Sequence, residues 1–413
     1  MISFSTFTLE NGLQVFVHED PTVQIAVMNI LYNVGSRDEH SDKTGFAHLF
    51  EHLMFGGSVN VPSYDEPLQL VGGENNAFTN TDITNYYLTL PAANLETGFW
   101  LESDRMLSLS FDPKVLEVQR KVVIEEFKQR YLNQPYGDVW LKLRPLAYTT
   151  HPYQWATIGK EISHIENATL EDVKDFFSTH YTPNNAILVV AGNVTHEQVR
   201  MLSEKWFGPI PAGKKITRSL PTEPIQNAKR TLSVYENVPA NALYKAWHMP
   251  GRFDKDFYSA ELLSDILSRG HSSRLYNKLV KEKEIFTSIS SFTMGTLDPG
   301  MMIISGRVKE GINLEEAEEQ VSEVLNTLLE KGLAEDELQK VKNQAQTMQE
   351  FEKVEVINRA MNLAFAALSG NADLVNQEAD LIESVTSEEA IEIGKKIFDE
   401  NNSNVLYYNS KSA

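Results

Sequence analysis

Apolar and polar positions along the chain switch between two periods, and the switches mark out the elements. Residues 6–9 and 13–17 alternate with period two and are joined by Asn11-Gly12, which predicts a β-hairpin. Residues 23–32 are more continuously apolar, predicting a buried third strand that runs to Val34-Gly35. The period then lengthens. In residues 45–57, Phe46, Leu49, Phe50 and Leu53 stand at i, i+3, i+4 and i+7, one face of a helix. Gly56-Gly57 supplies its stop, because glycine enters the left-handed region without a Cβ penalty. Residues 84–90 predict another strand. The small polar run Asn75-Asn76-Ala77-Phe78-Thr79 before it reads as an exposed edge able to pair with a peptide, or as one arm of a plain hairpin. Helices are predicted over 94–107, 114–131, 169–179 and 195–206, with a capping box at Thr169 and Asp172 and a buried strand at 186–191.

Residues 207–228 change character, with Phe207-Gly208-Pro209-Ile210-Pro211-Ala212-Gly213 followed by Pro221 and Pro224, and read as a linker. After it the order of elements restarts. Strands at 232–235 and 242–248 end at Met249-Pro250-Gly251, and a helix over 259–267 follows. Amphipathic helices over 314–331, 335–350, 357–367, 372–385 and 387–398 lead to a closing strand at 405–408. The expectation is a duplicated chain: residues 1–206, the linker 207–228, and a homologous domain over 229–413. The expected fold class is α+β, each domain a mostly antiparallel sheet with helices packed on one side.

The polar side of the 46–53 helix carries the chemistry. His48, Glu51, His52 and Phe55 repeat the helical spacing opposite the apolar face. Two imidazoles one turn apart can share a Zn²⁺ at about 2.0–2.1 Å. Glu51 is offset enough to leave the metal to the histidines and to act as base on a water activated there. The plain alternative is two histidines satisfied within an ordinary helix. With ten histidines in the chain, however, a chance H-x-x-E-H is expected on the order of 0.02 times. This order of residues is the inverted zincin signature. Two histidines leave a zinc site short of a third protein ligand, and Glu125 and Glu126 on the 114–131 helix are carboxylates that could serve. The matching stretch of the second half, Ala260-Glu261-Leu262-Leu263-Ser264-Asp265-Ile266, has no histidine, so the metal chemistry belongs to the first half.

Composition narrows the partners. The 413 residues include no cysteine, which excludes thiolate ligation and a disulfide scaffold. A net charge of −20 argues against nucleic acid and favours cationic peptides through long-range attraction. No run approaches the roughly 18 apolar residues of a membrane span. Residues 1–20 lack a basic stretch followed by an apolar one, so a cytoplasmic location is expected, or a periplasmic one where a leader has been removed.

The blocks Val34-Gly35-Ser36-Arg37-Asp38-Glu39, Gly45 to His52, Asn76-Ala77-Phe78-Thr79, Gln119 to Glu126 and Tyr181-Thr182-Pro183-Asn184-Asn185 occur in one order along the chain. In this the sequence resembles the pitrilysin (insulinase) family of zinc metallopeptidases, in the half-length branch related to mitochondrial processing peptidase. The resemblance implies a zinc endopeptidase with Zn²⁺ held by His48, His52 and Glu126, Glu125 being the choice if the register slips by one. It implies Glu51 as catalytic base, and Asn76 and Ala77 on an edge strand that binds peptide substrates by β-pairing. Two departures stand out. Gln119 occupies the place of an outer-shell Glu, and Val280 and Thr287 occupy the places of an Arg and a Tyr that hold the substrate backbone and the oxyanion. Ser273-Arg274-Leu275-Tyr276 fits only the start of that second pattern. The expected partner is therefore a homologous subunit supplying the Arg and Tyr, in a heterodimer, with a homodimer as the fallback. The competing expectation is a non-catalytic scaffold like the core subunits of the respiratory bc1 complex, or a peptide-binding subunit of the same fold.

Overall fold

Two sheets organise the protein in the computed structural model, which describes residues 1–411. The first contains β1 (Ser5–Thr8), β2 (Gln14–Glu19), β3 (Ile25–Tyr32), β4 (Glu74–Thr79), β5 (Thr84–Pro91) and β6 (Ala186–Gly192), in the order β1-β2-β6-β3-β5-β4. The second contains β7 (Arg230–Glu236), β8 (Ala242–Met249), β9 (Phe286–Met294), β10 (Gly300–Val308) and β11 (Ser403–Ser410), in the order β7-β11-β8-β10-β9. Removing β1 makes the two orders identical. The single parallel pair also recurs, as β2 with β6 and β7 with β11, while every other pairing is antiparallel. The duplication read from the order of elements is thus a duplication of topology, and the fold is α+β with mostly antiparallel sheets. Strands β9 and β10 are not marked by a clear apolar alternation. β9 (Phe-Thr-Ser-Ile-Ser-Ser-Phe-Thr-Met) is an edge strand whose serines and threonines blur the apolar alternation.

The placement of helices differs from the expectation of one covered side. In the first sheet Val15, Val17, Met28, Ile30, Leu188 and Val190 face a core shared with Phe46, Leu49 and Phe50. Phe16, Val27, Leu31, Val189 and Ala191 face the other way and are covered by the helix Val356–Leu368 through Ala360, Leu363, Ala364 and Ala367. The second sheet repeats this. One face packs on the helix Leu314–Lys331 and its neighbours. The other, with Tyr244, Ala246, Met301, Ile303 and Leu406, packs on the helix Val139–Ala147. The physical reason is that β3 and β6 are buried on both faces, and an apolar second face cannot be left to water. Each covering helix comes from the other half of the sequence.

The compact units consequently interleave in sequence. One comprises Met1–Gln129, Trp155–Leu220 and Glu350–Gln377; the other comprises Arg130–Gln154, Pro221–Gln349 and the chain from Glu378 onward. The expected divisions at 1–206 and 229–413 therefore each exchange a segment. The change at Leu220/Pro221 falls inside the expected linker, where residues 211–227 carry no regular secondary structure. Among the described residues no helix is long and apolar enough to cross a membrane.

Candidate metal centre

The motif helix, Phe46–Leu53, docks by its apolar face. Phe46, Ala47, Leu49, Phe50 and Leu53 are buried, and the Phe50 ring stands 5.0 Å from Phe176 and 5.1 Å from Tyr181, at the end of the helix Leu170–His180. Its beginning is held by Glu39, buried at 8% exposure, whose carboxylate accepts from the backbone N–H of Gly45 (2.9 Å) and Ala47 (2.8 Å). Burial pushes the Glu39 carboxyl well above the usual carboxylate range, against the pull of those two donors. The turn that delivers Glu39 is pinned by Arg37 on Asp82 (3.1 Å), by Asp38 on Arg218 (2.7 Å) and by the Trp155 indole donating to the Ser36 carbonyl (2.8 Å). The Val34–Glu39 block thus has a local mechanical role. At the other end the helix stops at Leu53 with Met54 as a right-handed cap, so the expected glycine stop is not what ends it. Gly57, further on, takes φ +94°, and a Cβ on Gly56 would lie 2.4 Å from Val115. That close approach seats the motif helix against the helix Pro113–Phe127, which carries Glu126.

On the polar face the structure brings His48, His52 and Glu126 together. Their ligand atoms all lie within 4.8 Å of one another, and the side chains are 12%, 24% and 17% exposed, sheltered but reachable. Glu126 Oε2 stands 3.6 Å from His48 Nε2 and 3.4 Å from His52 Nε2. Those separations exceed a charge-assisted hydrogen bond, at about 2.7–2.9 Å. They approach the edge of a tetrahedron around a zinc ion with ligands at about 2.0–2.1 Å, which is about 3.3–3.4 Å. Two neutral-capable imidazoles and one carboxylate, spaced this way with no cysteine, form a donor set that fits zinc and leaves a fourth position. Glu125 does not enter the group: it is exposed and accepts from Gln129 at 3.2 Å. Gln119 is half-buried, two turns before Glu126 on the same helix.

Glu51 lies beside the cluster rather than within it. Burial raises its pKa, and the Glu126 carboxylate adds to the rise, while Thr79 and His52 pull it down. Thr79 ends β4, an outermost strand of the first sheet, which among the described residues pairs only with β5. β4 is thus one arm of a hairpin and, among the described residues, an edge of its sheet. Asn76 is exposed and Ala77 half-buried, and the Ala77 N–H, turned away from β5, donates to the Asn76 side-chain carbonyl at 2.8 Å. That outward N–H is the kind of donor an added strand would take up.

Arg274, Thr287 and Val280 of the second half are each engaged within it. The Arg274 guanidinium makes a two-pronged pair with Glu337 (2.8 and 2.6 Å) and donates to the Gly332 carbonyl. Thr287 donates to the Arg307 carbonyl at 3.2 Å, and Val280 packs against the apolar core.

The duplicated α+β fold thus sets an H-x-x-E-H helix beside a carboxylate, a donor set that could hold a metal ion. Two family models cover most of the chain: Insulinase (Peptidase family M16) over residues 14–151 and Peptidase M16 inactive domain over residues 167–345. A curated relative from Helicobacter pylori, named zinc protease PqqE, is 33% identical over 344 residues, which are 81% of this chain and 77% of that protein. The chain belongs to peptidase family M16. Among solved structures, a protease from Helicobacter pylori matches with a TM-score of 0.92 at 27% identity, over 99% of this chain and all of that one (100%). A Pseudomonas fluorescens protein described as a peptidase M16 inactive domain shares the fold, with a TM-score of 0.89 at 16% identity over 99% and 98% of the two chains.

Proposed function

We propose that the protein is the zinc-bearing subunit of an endopeptidase that hydrolyses extended, preferentially basic peptides. The observation that carries the reading is the convergence of His48, His52 and Glu126 at zinc-ligand spacing, with Glu51 and the free edge of β4 beside them. The name zinc protease borne by the Helicobacter pylori relative supports it. His48, His52 and Glu126 would hold the metal, which when bound supplies Lewis-acid activation of a water and of the scissile carbonyl. Glu51 takes a proton from the attacking water and returns it to the leaving amine, a role that suits a carboxylate whose pKa burial has raised. β4 orients the substrate by main-chain pairing through Asn76 and Ala77, which fixes the peptide before any side chain is read.

A second chain belongs to this proposal. With Arg274 committed to Glu337, Val280 apolar and Thr287 bound to a backbone carbonyl, the second half has no evident oxyanion donor at those positions. Loss of one such donor costs about 2.7–4 kcal/mol of transition-state stabilisation in other enzymes. A homologous subunit carrying Arg and Tyr at the equivalent places would restore it.

The test separates metal from turnover. Wild-type protein should retain one zinc per chain after dialysis. Glu51→Gln should retain it too, while losing about 10²–10⁴ in peptide hydrolysis. Zinc loss in Glu51→Gln would make Glu51 a ligand, and a wild type without zinc would favour the scaffold reading.

A further inference from the structure

Close to the motif helix lies a buried charged pair that the proposed chemistry does not use. Arg105 and Glu102, on the helix Leu95–Leu107, are each 1% exposed and joined in a fork, with Nε to Oε2 at 2.9 Å and Nη2 to Oε1 at 2.6 Å. The guanidinium is surrounded by three rings, with its carbon 4.4 Å from the centre of Tyr86, 4.5 Å from Tyr64 and 5.3 Å from Phe55. The Tyr64 hydroxyl donates to Glu102. A buried ion pair of this kind is a poor source of stability, because desolvating two charges offsets much of their attraction. What it does supply is directional: a planar fork and a flat cation fix the orientation of every group that touches them.

Those groups lead to the metal site by short routes. Phe55 belongs to the chain leaving the motif helix, and its N–H donates to the His52 carbonyl at 3.2 Å. The Tyr86 hydroxyl donates to the Phe50 carbonyl at 3.3 Å, on the residue before Glu51. The neighbouring Asp104 holds the next stretch, accepting from the Ser58 hydroxyl (2.5 Å) and from the Asn60 backbone (3.1 Å) and side chain (2.6 Å). The motif helix thus has its start set by Glu39 and its end set by Glu102, Asp104 and Arg105.

We propose that Arg105 and Glu102 are positioning residues for the metal site, aligning Glu51 and His52 through Tyr86 and Phe55. The inference rests on the zinc reading above. It distinguishes a pair that orders the site from one that merely helps the domain fold, because the two make different demands on the folded protein.

Zinc dissociation constants, measured by chelator competition beside metal-free melting temperatures, decide between them. The double variant Glu102→Leu/Arg105→Met removes both charges while keeping volume, a replacement that is often close to neutral for stability. Its metal-free melting temperature should stay near that of wild type while zinc affinity falls by roughly 10–100-fold, the usual effect of losing an outer support. Tyr86→Phe, which deletes one hydroxyl and cannot disrupt packing, should weaken zinc by roughly tenfold. Wild-type zinc affinity in both variants would overturn the proposal. Should the double variant fail to fold, Tyr86→Phe decides alone. A wild type that holds no zinc refutes the metal-site reading itself rather than this extension of it.

Discussion

Acidification from pH 7 to pH 5 should weaken the first unit through His180, the last residue of the helix on which the motif helix docks. His180 is 8% exposed, its ring lies 4.6 Å from Phe176, and its Nδ1 makes no hydrogen bond among the described residues. Burial holds its pKa down to about 4, from 6.5; Asp38 opposes that shift and Arg218 assists it. The unfolded chain therefore binds a proton below pH 6.5 that the folded chain refuses until about pH 4. Stability from this group is complete above pH 6.5 and is lost as pH falls toward 4. The full span is about 3 kcal/mol, of which about 2 kcal/mol disappears between pH 7 and pH 5. For a unit of this size that is about 4–8 °C in melting temperature. The assay is thermal unfolding of chelator-treated wild type and His180→Phe at both pH values, so that protonation of His48, His52 and Glu126 enters both proteins alike. The variant should lose about 4–8 °C less than wild type on acidification. Equal losses would refute the reasoning, because His180 would then titrate in the folded state as it does in the unfolded one.

Glu126→Gln should strip zinc whereas Glu125→Gln should spare it, as atomic absorption on dialysed protein would show; the reverse result would shift the ligand register by one. The chain's charge of −20 should give basic peptides a higher kcat/KM than neutral ones at low salt, an advantage that shrinks as ionic strength shortens the Debye length to about 8 Å at 0.15 M. Equal kcat/KM at low salt would remove electrostatic preference from the proposal. A homogeneous preparation of this chain should bind zinc yet cleave slowly, and adding a homologous subunit that bears the missing Arg and Tyr should raise kcat by about 10²-fold or more. Full activity from this chain alone would dismiss the need for that subunit.

Much of the first sheet and the whole motif helix could be read from periodicity. The helix is legible because its two faces carry opposite chemistry within eight residues, so the same count that predicts docking also predicts that His48, Glu51 and His52 emerge together. The capping box at Thr169 and the hairpin at Asn11-Gly12 are legible for a similar reason, being local rules satisfied by neighbours in sequence. Glu125 and Glu126 mark the limit of that method. Adjacent carboxylates on one helix differ by about 100° in direction, and only the seat of that helix against Gly56 decides which of them meets the histidines.

The buried run Glu102-Ser103-Asp104-Arg105 was invisible for the opposite reason. Charged residues inside a helix read as a solvent face, and nothing local reveals that three aromatic rings will close over them. The exchanged helices Val139–Ala147 and Val356–Leu368 were equally beyond reach as to place, since period specifies that a helix has an apolar face but not which sheet receives it. The sequence by itself determined most of the elements, their repeated order and the chemistry of the H-x-x-E-H helix, because each depends on spacing within one segment or on the order of segments. The tertiary structure brought Glu126 rather than Glu125 beside the histidines, and it alone decided the supports at both ends of that helix and the crossing of segments between units, because each depends on which distant surfaces must be buried together.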